Sequence, residues 1–257
     1  MKSIATEVRA EPTTARFLGL EFTRLNPDDI MTRVGELARA SRFSYVVTPN
    51  VDHIIKIAAA EDSPGDVGLQ AAYANAALTI CDSRILLALA SRSGIPITLL
   101  PGSDLTRILL EERIPNGSTV ALIGGIPAQL QALAKLRPDV QFCQHRPPMG
   151  VMHNIAAQDA IAEFVESRGC DFNLFTIGAP QSEIVAHRVA LRGRARGVGL
   201  CVGASVEFIT GDKRRAPRWV QRASLEWAYR LGSEPRRLWR RYLVDGPRIF
   251  AIWWRQR

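Results

Sequence analysis

The 257-residue chain has room for one large domain, or for one domain with an appendage, and 47% hydrophobic residues suffice for a real core. Its formal charge of +8 is uneven: residues 211–257 hold thirteen of the 33 Lys and Arg but only four of the 25 Asp and Glu, leaving 20 against 21 elsewhere. The near-neutral remainder excludes a basic surface running across the whole molecule, and no apolar run reaches the ~18–20 residues that cross a bilayer.

The longest apolar runs, such as Ile85–Ala90, are core-sized. Cys81, Cys143, Cys170 and Cys201 are widely spaced with no C-x-x-C pair, and read as free thiols in a reducing compartment. The N-terminus shows no basic-then-apolar leader. These features predict a cytoplasmic protein whose membrane contact, if any, is peripheral.

In chain order, short β-branched runs alternate with helical stretches. Ser44–Thr48 predicts a strand ending at Pro49-Asn50, and Val51–Glu61 a helix. Glu61–Gly68 reads as a loop, Leu69–Ala76 as a helix and Ala77–Cys81 as a strand ending at Asp82. Arg84–Ser93 follows as a helix, and Asp104 is placed to cap another over Leu105–Glu112. Ser118–Ile123 predicts a strand running into Gly124-Gly125, with Pro127 at the first position of the next helix. Val140–Cys143, Asp171–Ile177 and Gly199–Val202 complete the strands, the last two ending at Gly178 and Gly203. Helices are expected over Ala156–Arg168 and Ser182–Leu191.

Strand–loop–helix repeated this often predicts an α/β layered domain with a mostly parallel sheet over residues 1–210. Ligands of such sheets sit at the carboxyl ends of the strands. Those ends carry Thr48, Asn50, Asp82, Gly124, Gly178 and Gly203.

Residues 211–257 read differently, as a basic helical appendage without strands. All five tryptophans lie here, interleaved with arginines. Trp219, Ala223, Trp227 and Leu231 fall at helical spacing after Pro217, with Arg218, Arg222 and Arg230 on the adjoining edge. Gly232-Ser233 is expected to break that helix and Pro235 to restart one. Leu238/Tyr242 and Arg237/Arg241 follow at i, i+4, before a second break at Gly246-Pro247. Trp with Arg suits a boundary between apolar and anionic matter: a membrane surface, a polyphosphate or a nucleic acid.

Several residues admit two readings at this level. Gly124-Gly125 is a tight turn or a cradle for phosphate. Asp82 caps the next helix or faces the ligand crevice. Thr48 and Asn50 build a turn around Pro49 or line the same crevice. His53, His145, His153 and His187 show no metal spacing, and there is no D-x-D pair to hold a metal on a diphosphate. No metal and no resident cofactor are expected. A full glycine fingerprint with its ribose acid is missing, which argues against a nicotinamide enzyme. A non-catalytic basic protein that binds membrane or nucleic acid stays open as the alternative.

Three strings carry a resemblance: GAPQSE at Gly178–Glu183, VGASVEFITGDKRRAPRW at Val202–Trp219, and LEWAYRLGSEPRRLWRRYL at Leu225–Leu243. Upstream, VVTPNVDH, LTICDSR, GSDL, VALIGG and PPMG follow in the expected order. Together they resemble the WecG/TagA/CpsF family of bacterial glycosyltransferases over nearly the entire chain. The resemblance implies a Rossmann-like body that binds a UDP-sugar, and a C-terminal appendage that closes over the site at the inner face of the cell membrane. It implies inverting transfer of the sugar to an undecaprenyl-diphosphate-linked saccharide during cell-surface polymer synthesis.

Residue by residue, Asp82 falls in the family's acidic position and is assigned the base. Arg237 and Arg241 fall at its tail arginines and would balance the leaving diphosphate. Thr48 and Asn50 would line the sugar or acceptor. Gly124 and Gly125 would lie under the nucleotide, Gly178, Pro180, Ser182 and Glu183 would belong to the donor site, and Glu207 would contact the uridine end. Ser83 stands where the family commonly has Gly, and Glu61–Asp66 looks inserted. The partners implied are the UDP-sugar, the lipid-linked saccharide and an anionic membrane surface, with no nucleic acid. Self-association is open.

Overall fold

A computed structural model describes residues 13–61, 67–217, 219–220, 223 and 225–256. Two short strands, β1 (Thr14–Phe17) and β2 (Leu20–Thr23), form an antiparallel hairpin in a region where sequence reading assigned nothing. Its apolar residues Phe17, Leu18, Leu20 and Phe22 are buried in the core, which holds it to the body. Helix α1 (Pro27–Arg39) follows. Asn26 accepts from the Asp29 N–H at 2.9 Å, Pro27 opens the first turn, and Ile30, Met31, Val34, Leu37 and Ala38 form one buried stripe.

The main sheet has six strands in the order β4-β3-β8-β7-β5-β6, all pairs parallel. They are β3 (Ser44–Val47), β4 (Leu78–Thr79), β5 (Thr119–Ile123), β6 (Gln141–His145), β7 (Phe172–Phe175) and β8 (Val198–Cys201). Side chains alternate between two cores, as period-two geometry requires. Val47, Ile123, Phe175 and Cys201 face one core; Val46, Leu122, Leu174 and Leu200 face the other. Helices cover both faces, so the central strands are mostly apolar, with Asn173 of β7 the buried polar exception. On one side lie α2 (Val51–Glu61), α3 (Val67–Ala74), α4 (Arg84–Arg92), α7 (Ile155–Arg168) and α8 (Gln181–Arg192). On the other lie α1, α5 (Gly102–Ile108) and α6 (Pro127–Leu136). This is the α/β layered architecture expected from the alternation of strands and helices, and the Rossmann-like body that the resemblance implies.

The expected loop Glu61–Gly68 is shorter than its composition implied, because α2 runs to Glu61 and α3 starts at Val67. The rest of that stretch, with most of the apparent insertion, lies outside the described residues. Asp104 does not cap α5. The helix starts at Gly102 after Pro101, and Asp104 in its first turn accepts from Arg215 instead. Past Ile108 the helix widens into a π turn at Leu109–Arg113.

The C-terminal segment is helical, as expected, but broken differently. Leu225 is not helical, and a new helix begins at Glu226, so Trp219 and Trp227 do not share one stripe. Arg218 and Arg222 of that stripe lie outside the described residues. The helix Glu226–Ser233 passes through Gly232-Ser233 and ends at Glu234. Pro235 does open the next one, Pro235–Trp239, which continues as a π-helical coil at Arg240–Asp245. The chain then turns at Gly246-Pro247 into a last helix, Arg248–Arg255. Ile249 on that helix is 1% exposed and belongs to the main core, and the Trp253 indole N–H donates to Ser93 Oγ at 2.8 Å. No described helix is long and apolar enough to cross a membrane.

Candidate active site

A cavity of about 1160 Å³ opens along the carboxyl edge of the sheet. It exceeds the roughly 300–1,000 Å³ usual for small-molecule sites, so an extended ligand fits. Each strand end contributes: Thr48 and Asn50 after β3, Asp82 after β4, Gly124 and Gly125 after β5, Gly178 after β7, Gly203 after β8. The C-terminal helices add Arg230, Arg237 and Arg241 from above. A smaller cavity of about 420 Å³ lies beside it, between α4 and those helices. Its far wall is apolar, with Ile85, Trp227, Leu243, Pro247 and Phe250. The two share Asn50, Asp52, Asp82, Ser103, Arg230 and Arg241, so they meet at Asp82.

Asp82 is half-buried and free of capping duty, because Ser83 takes that role by accepting from the Leu86 N–H at 3.3 Å. One carboxyl oxygen accepts the Gly102 N–H at 2.7 Å and the other accepts the Asn50 side-chain amide at 3.3 Å. Burial pushes its pKa up to about 6, although the Gly102 N–H, Arg230 and the Asn50 amide all favour the charged form. A carboxylate that takes up and releases a proton near neutrality suits general acid–base work.

Asn50 joins the body to the appendage. Its side-chain oxygen accepts the Asp52 N–H at 3.0 Å, which fixes the start of α2, and an Arg241 guanidinium N–H at 3.4 Å. Arg241 also lies 3.4 Å from Asp52, which Lys56 holds at 2.9 Å. Burial pushes the Asp52 carboxyl up, but Arg241 and Lys56 outweigh it and keep it below its ordinary value. Thr48 is buried, and its hydroxyl donates to the Cys201 carbonyl at 2.9 Å.

Gly124 and Gly125 line the cavity at φ of 101° and 66°, a region that favours glycine. A Cβ on Gly124 would stand 2.8 Å from Thr176 Oγ1, and one on Gly125 would stand 2.6 Å from Gln129 Oε1. The Gly124 N–H donates to the His145 carbonyl, and the Ile126 N–H to Gln129 Oε1. Those two amides are therefore committed within the fold, and the turn shapes the floor by backbone closeness.

The other expected donor-site residues divide. Gly178, Glu183 and Glu207 line the cavity; Pro180 and Ser182 do not, and Ser182, in the first turn of α8, is 1% exposed. Glu207 is paired with Lys213 at 2.5 Å, and Lys213 reaches Glu234 of the appendage at 3.5 Å. Arg237 lines the cavity while paired with Glu234 at 2.8 Å. The sequence reading missed Lys56, Arg146, Lys213 and Arg230 as cavity cations. Arg230 pairs with Glu226 at 3.1 Å and sits over the Phe208 ring at 5.1 Å. Its only signal was a place on the edge of an apolar stripe, which any surface arginine shares.

His53 is among the histidines without metal spacing in the sequence. It is buried, yet it lines the cavity and its Nδ1 has no hydrogen-bond partner among the described residues. Among the described residues, no three His, Cys, Asp or Glu side chains cluster as metal ligands.

A poised carboxylate between a cation-lined chamber and an apolar one fits group transfer from an anionic donor to an amphipathic acceptor. The model of the WecG/TagA/CpsF glycosyl transferase family matches residues 15–257, and the chain belongs to that family of glycosyltransferases of cell-surface polysaccharide synthesis.

Proposed function

We propose that this protein transfers a sugar, with inversion, from a UDP-sugar to an undecaprenyl-diphosphate-linked saccharide at the inner face of the cell membrane. The observation that carries the reading is Asp82, held by Gly102 and Asn50 where the two cavities meet. The UDP-sugar lies in the larger cavity, over Gly124, Gly125 and Gly178, with Glu183 and Glu207 along its walls. The acceptor saccharide enters from the apolar cavity. Thr48 and Asn50 flank the sugar.

Asp82 takes the proton of the acceptor hydroxyl as its oxygen bonds to the anomeric carbon. The bond to the diphosphate breaks on the opposite face, and its electrons leave with UDP. Arg237, Arg241 and Arg230 balance the charge that grows on the departing phosphate. In this reading the arginines do what a D-x-D-bound metal does elsewhere, and no divalent cation is needed.

Exposed apolar side chains on the appendage support the peripheral membrane placement. Trp219, Trp239, Leu243, Val244, Phe250 and Trp254 are all at least half exposed beside the arginines.

The test is release of UDP and formation of a lengthened lipid-linked saccharide by the purified chain, with and without a chelator. UDP release should depend on the acceptor and survive chelation. Turnover that stops with chelator and returns with Mg²⁺ or Mn²⁺ sinks the arginine account. No acceptor-dependent turnover with any UDP-sugar sinks the donor assignment.

A further inference from the structure

Among the described residues, three side chains of the larger cavity have a buried polar atom with neither a hydrogen-bond nor an ion-pair partner: Arg241 at Nε, which belongs to the cations already described, and His53 and Glu183. His53, on α2, is 8% exposed, and Glu183, in the first turn of α8, is 2% exposed. Both line the cavity. Among the described residues, His53 Nδ1 and Glu183 Oε2 have no hydrogen-bond partner. Folded proteins leave few buried polar atoms unpaired, because each is destabilising. Two in one cavity wall point to a ligand that pairs with them.

The two share surroundings. Tyr73 packs on the His53 ring with centroids 6.2 Å apart and feels the charge of Glu183. Lys56 acts electrostatically on both, but its ammonium is already engaged by Asp52 at 2.9 Å and by the Ala179 carbonyl at 3.3 Å. Along the sheet, α2 follows β3 and α8 follows β7, with β8 between those strands. The pair therefore lies between Asp82, beyond β4, and the glycine turn, beyond β5. A donor stretched from one to the other carries its sugar and diphosphate across this stretch.

Burial drives the His53 pKa down to about 3, so the imidazole is neutral at working pH. Burial also raises Glu183 to about 7, against its own backbone N–H and Lys56. A neutral imidazole and a half-protonated carboxyl exchange hydrogen bonds readily with hydroxyls and amides. They oppose a carboxylate, since Lys56 is already occupied and like charges disfavour one another.

We propose that His53 and Glu183 form the subsite for the transferred sugar, reading an uncharged hydroxyl or amide on it and rejecting sugars that carry a carboxylate. The inference rests on the UDP-sugar reading above.

It is tested by calorimetric titration of the full chain at pH 6 and pH 8. The probes are UDP, UDP-glucose, UDP-galactose, UDP-N-acetylglucosamine, UDP-N-acetylmannosamine and UDP-glucuronate. The best-bound uncharged sugar nucleotide should bind at least about tenfold more tightly than UDP-glucuronate. That preference should widen from pH 6 to pH 8, as Glu183 loses its proton. Glu183→Ala should weaken the best-bound uncharged donor about tenfold or more, while UDP itself stays within about twofold, because a polar group of the ligand loses its partner. Glu183→Gln should keep the donor but narrow the discrimination against UDP-glucuronate, and His53→Ala should act like Glu183→Ala. If Glu183→Ala fails to fold, Glu183→Gln and His53→Ala carry the test.

An unchanged ratio of UDP-sugar to UDP affinity in the folded Ala variants overturns the inference and leaves the donor reading intact. So does an equal loss of both ligands, or a wild type that does not discriminate against UDP-glucuronate. A wild type that binds UDP but none of the sugar nucleotides more tightly than UDP removes the donor reading and this inference together.

Discussion

At the scale of single residues, Asp82 is useful because it is uncomfortable. Its pKa near 6 lies above the ~3.9 of an unfolded aspartate, so between these values the folded chain keeps a proton that the unfolded chain has released. That contribution to stability is full below about pH 4 and is lost as pH rises through 6. Asp82→Asn should therefore raise stability at pH 8, by on the order of 3 kcal/mol at most, and do little at pH 4. Denaturant unfolding at the two pH values decides this, and equal effects at both would refute it. The same change should lower turnover ~10²–10⁴-fold with UDP affinity kept, and a variant retaining more than about a tenth of wild-type turnover excludes Asp82 as the base. In the wild type, kcat/KM should fall as pH drops through about 6, since the base must be unprotonated. The strand-end position of Asp82 was legible in the sequence because strands in this fold end where ligands bind. Its poise was not, because the Gly102 amide that holds it comes from a turn twenty residues later. His53 and Glu183 illustrate the same limit, since an unpartnered atom is a property of three-dimensional surroundings alone.

At the scale of elements, α5 supports Asp82, the proposed base. Its first residue gives the Gly102 N–H to Asp82, and its first turn carries Asp104, gripped by both Arg215 terminal nitrogens at 2.6 and 2.8 Å. Arg215 does not line either cavity, so an effect on Asp82 would run through α5, by positioning. Arg215→Ala should lower kcat about tenfold with donor KM little changed. It should also move the acid limb of kcat/KM above 6, because a loosened Gly102 N–H favours the charged carboxylate less. Asp104→Ala should match it, and the double variant should be no worse than either single one. Strictly additive losses, or an unmoved limb, would show that the pair only braces the fold. This contact also explains the error over Asp104. An acidic residue before an apolar run has the local form of a cap, and nothing nearby announces a partner 111 residues away. Elements with local signals, such as α6 behind Pro127 and the strands entering glycine turns, were readable to within a residue or two. The apolar stripe from Trp219 to Leu231 had the right period but belongs to separate segments, because the chain turns at Leu225. The hairpin β1–β2 is short and closes on long-range packing, so its four-residue strands left no periodic trace.

At the scale of the molecule, the proposed function gives the appendage three jobs that can be separated. Removing residues from Gly211 onward should leave a folded body, since every strand of the main sheet precedes that point. It should be less stable, because Ile249 in the main core and the Trp253–Ser93 hydrogen bond go with the deletion. Activity and binding to anionic vesicles should both be lost. Arg237→Glu with Arg241→Glu should cripple turnover, whereas Trp239→Ser with Trp254→Ser should mainly weaken vesicle sedimentation, these two rings being 52% and 70% exposed. Trp253 is a poor choice for that test, because it is docked on the body. A truncated chain that stays vesicle-bound and fully active would make the appendage a bystander. The two chambers have one more consequence, which concerns the order of events. They meet at a common wall that includes Asp82 and differ in the rest of their lining, so both substrates can be resident before any bond changes. Nothing is then parked on the protein between a first departure and a second arrival. Initial rates measured over a grid of donor and acceptor concentrations should give double-reciprocal lines that intersect. Parallel lines would mean that the two chambers are filled in turn.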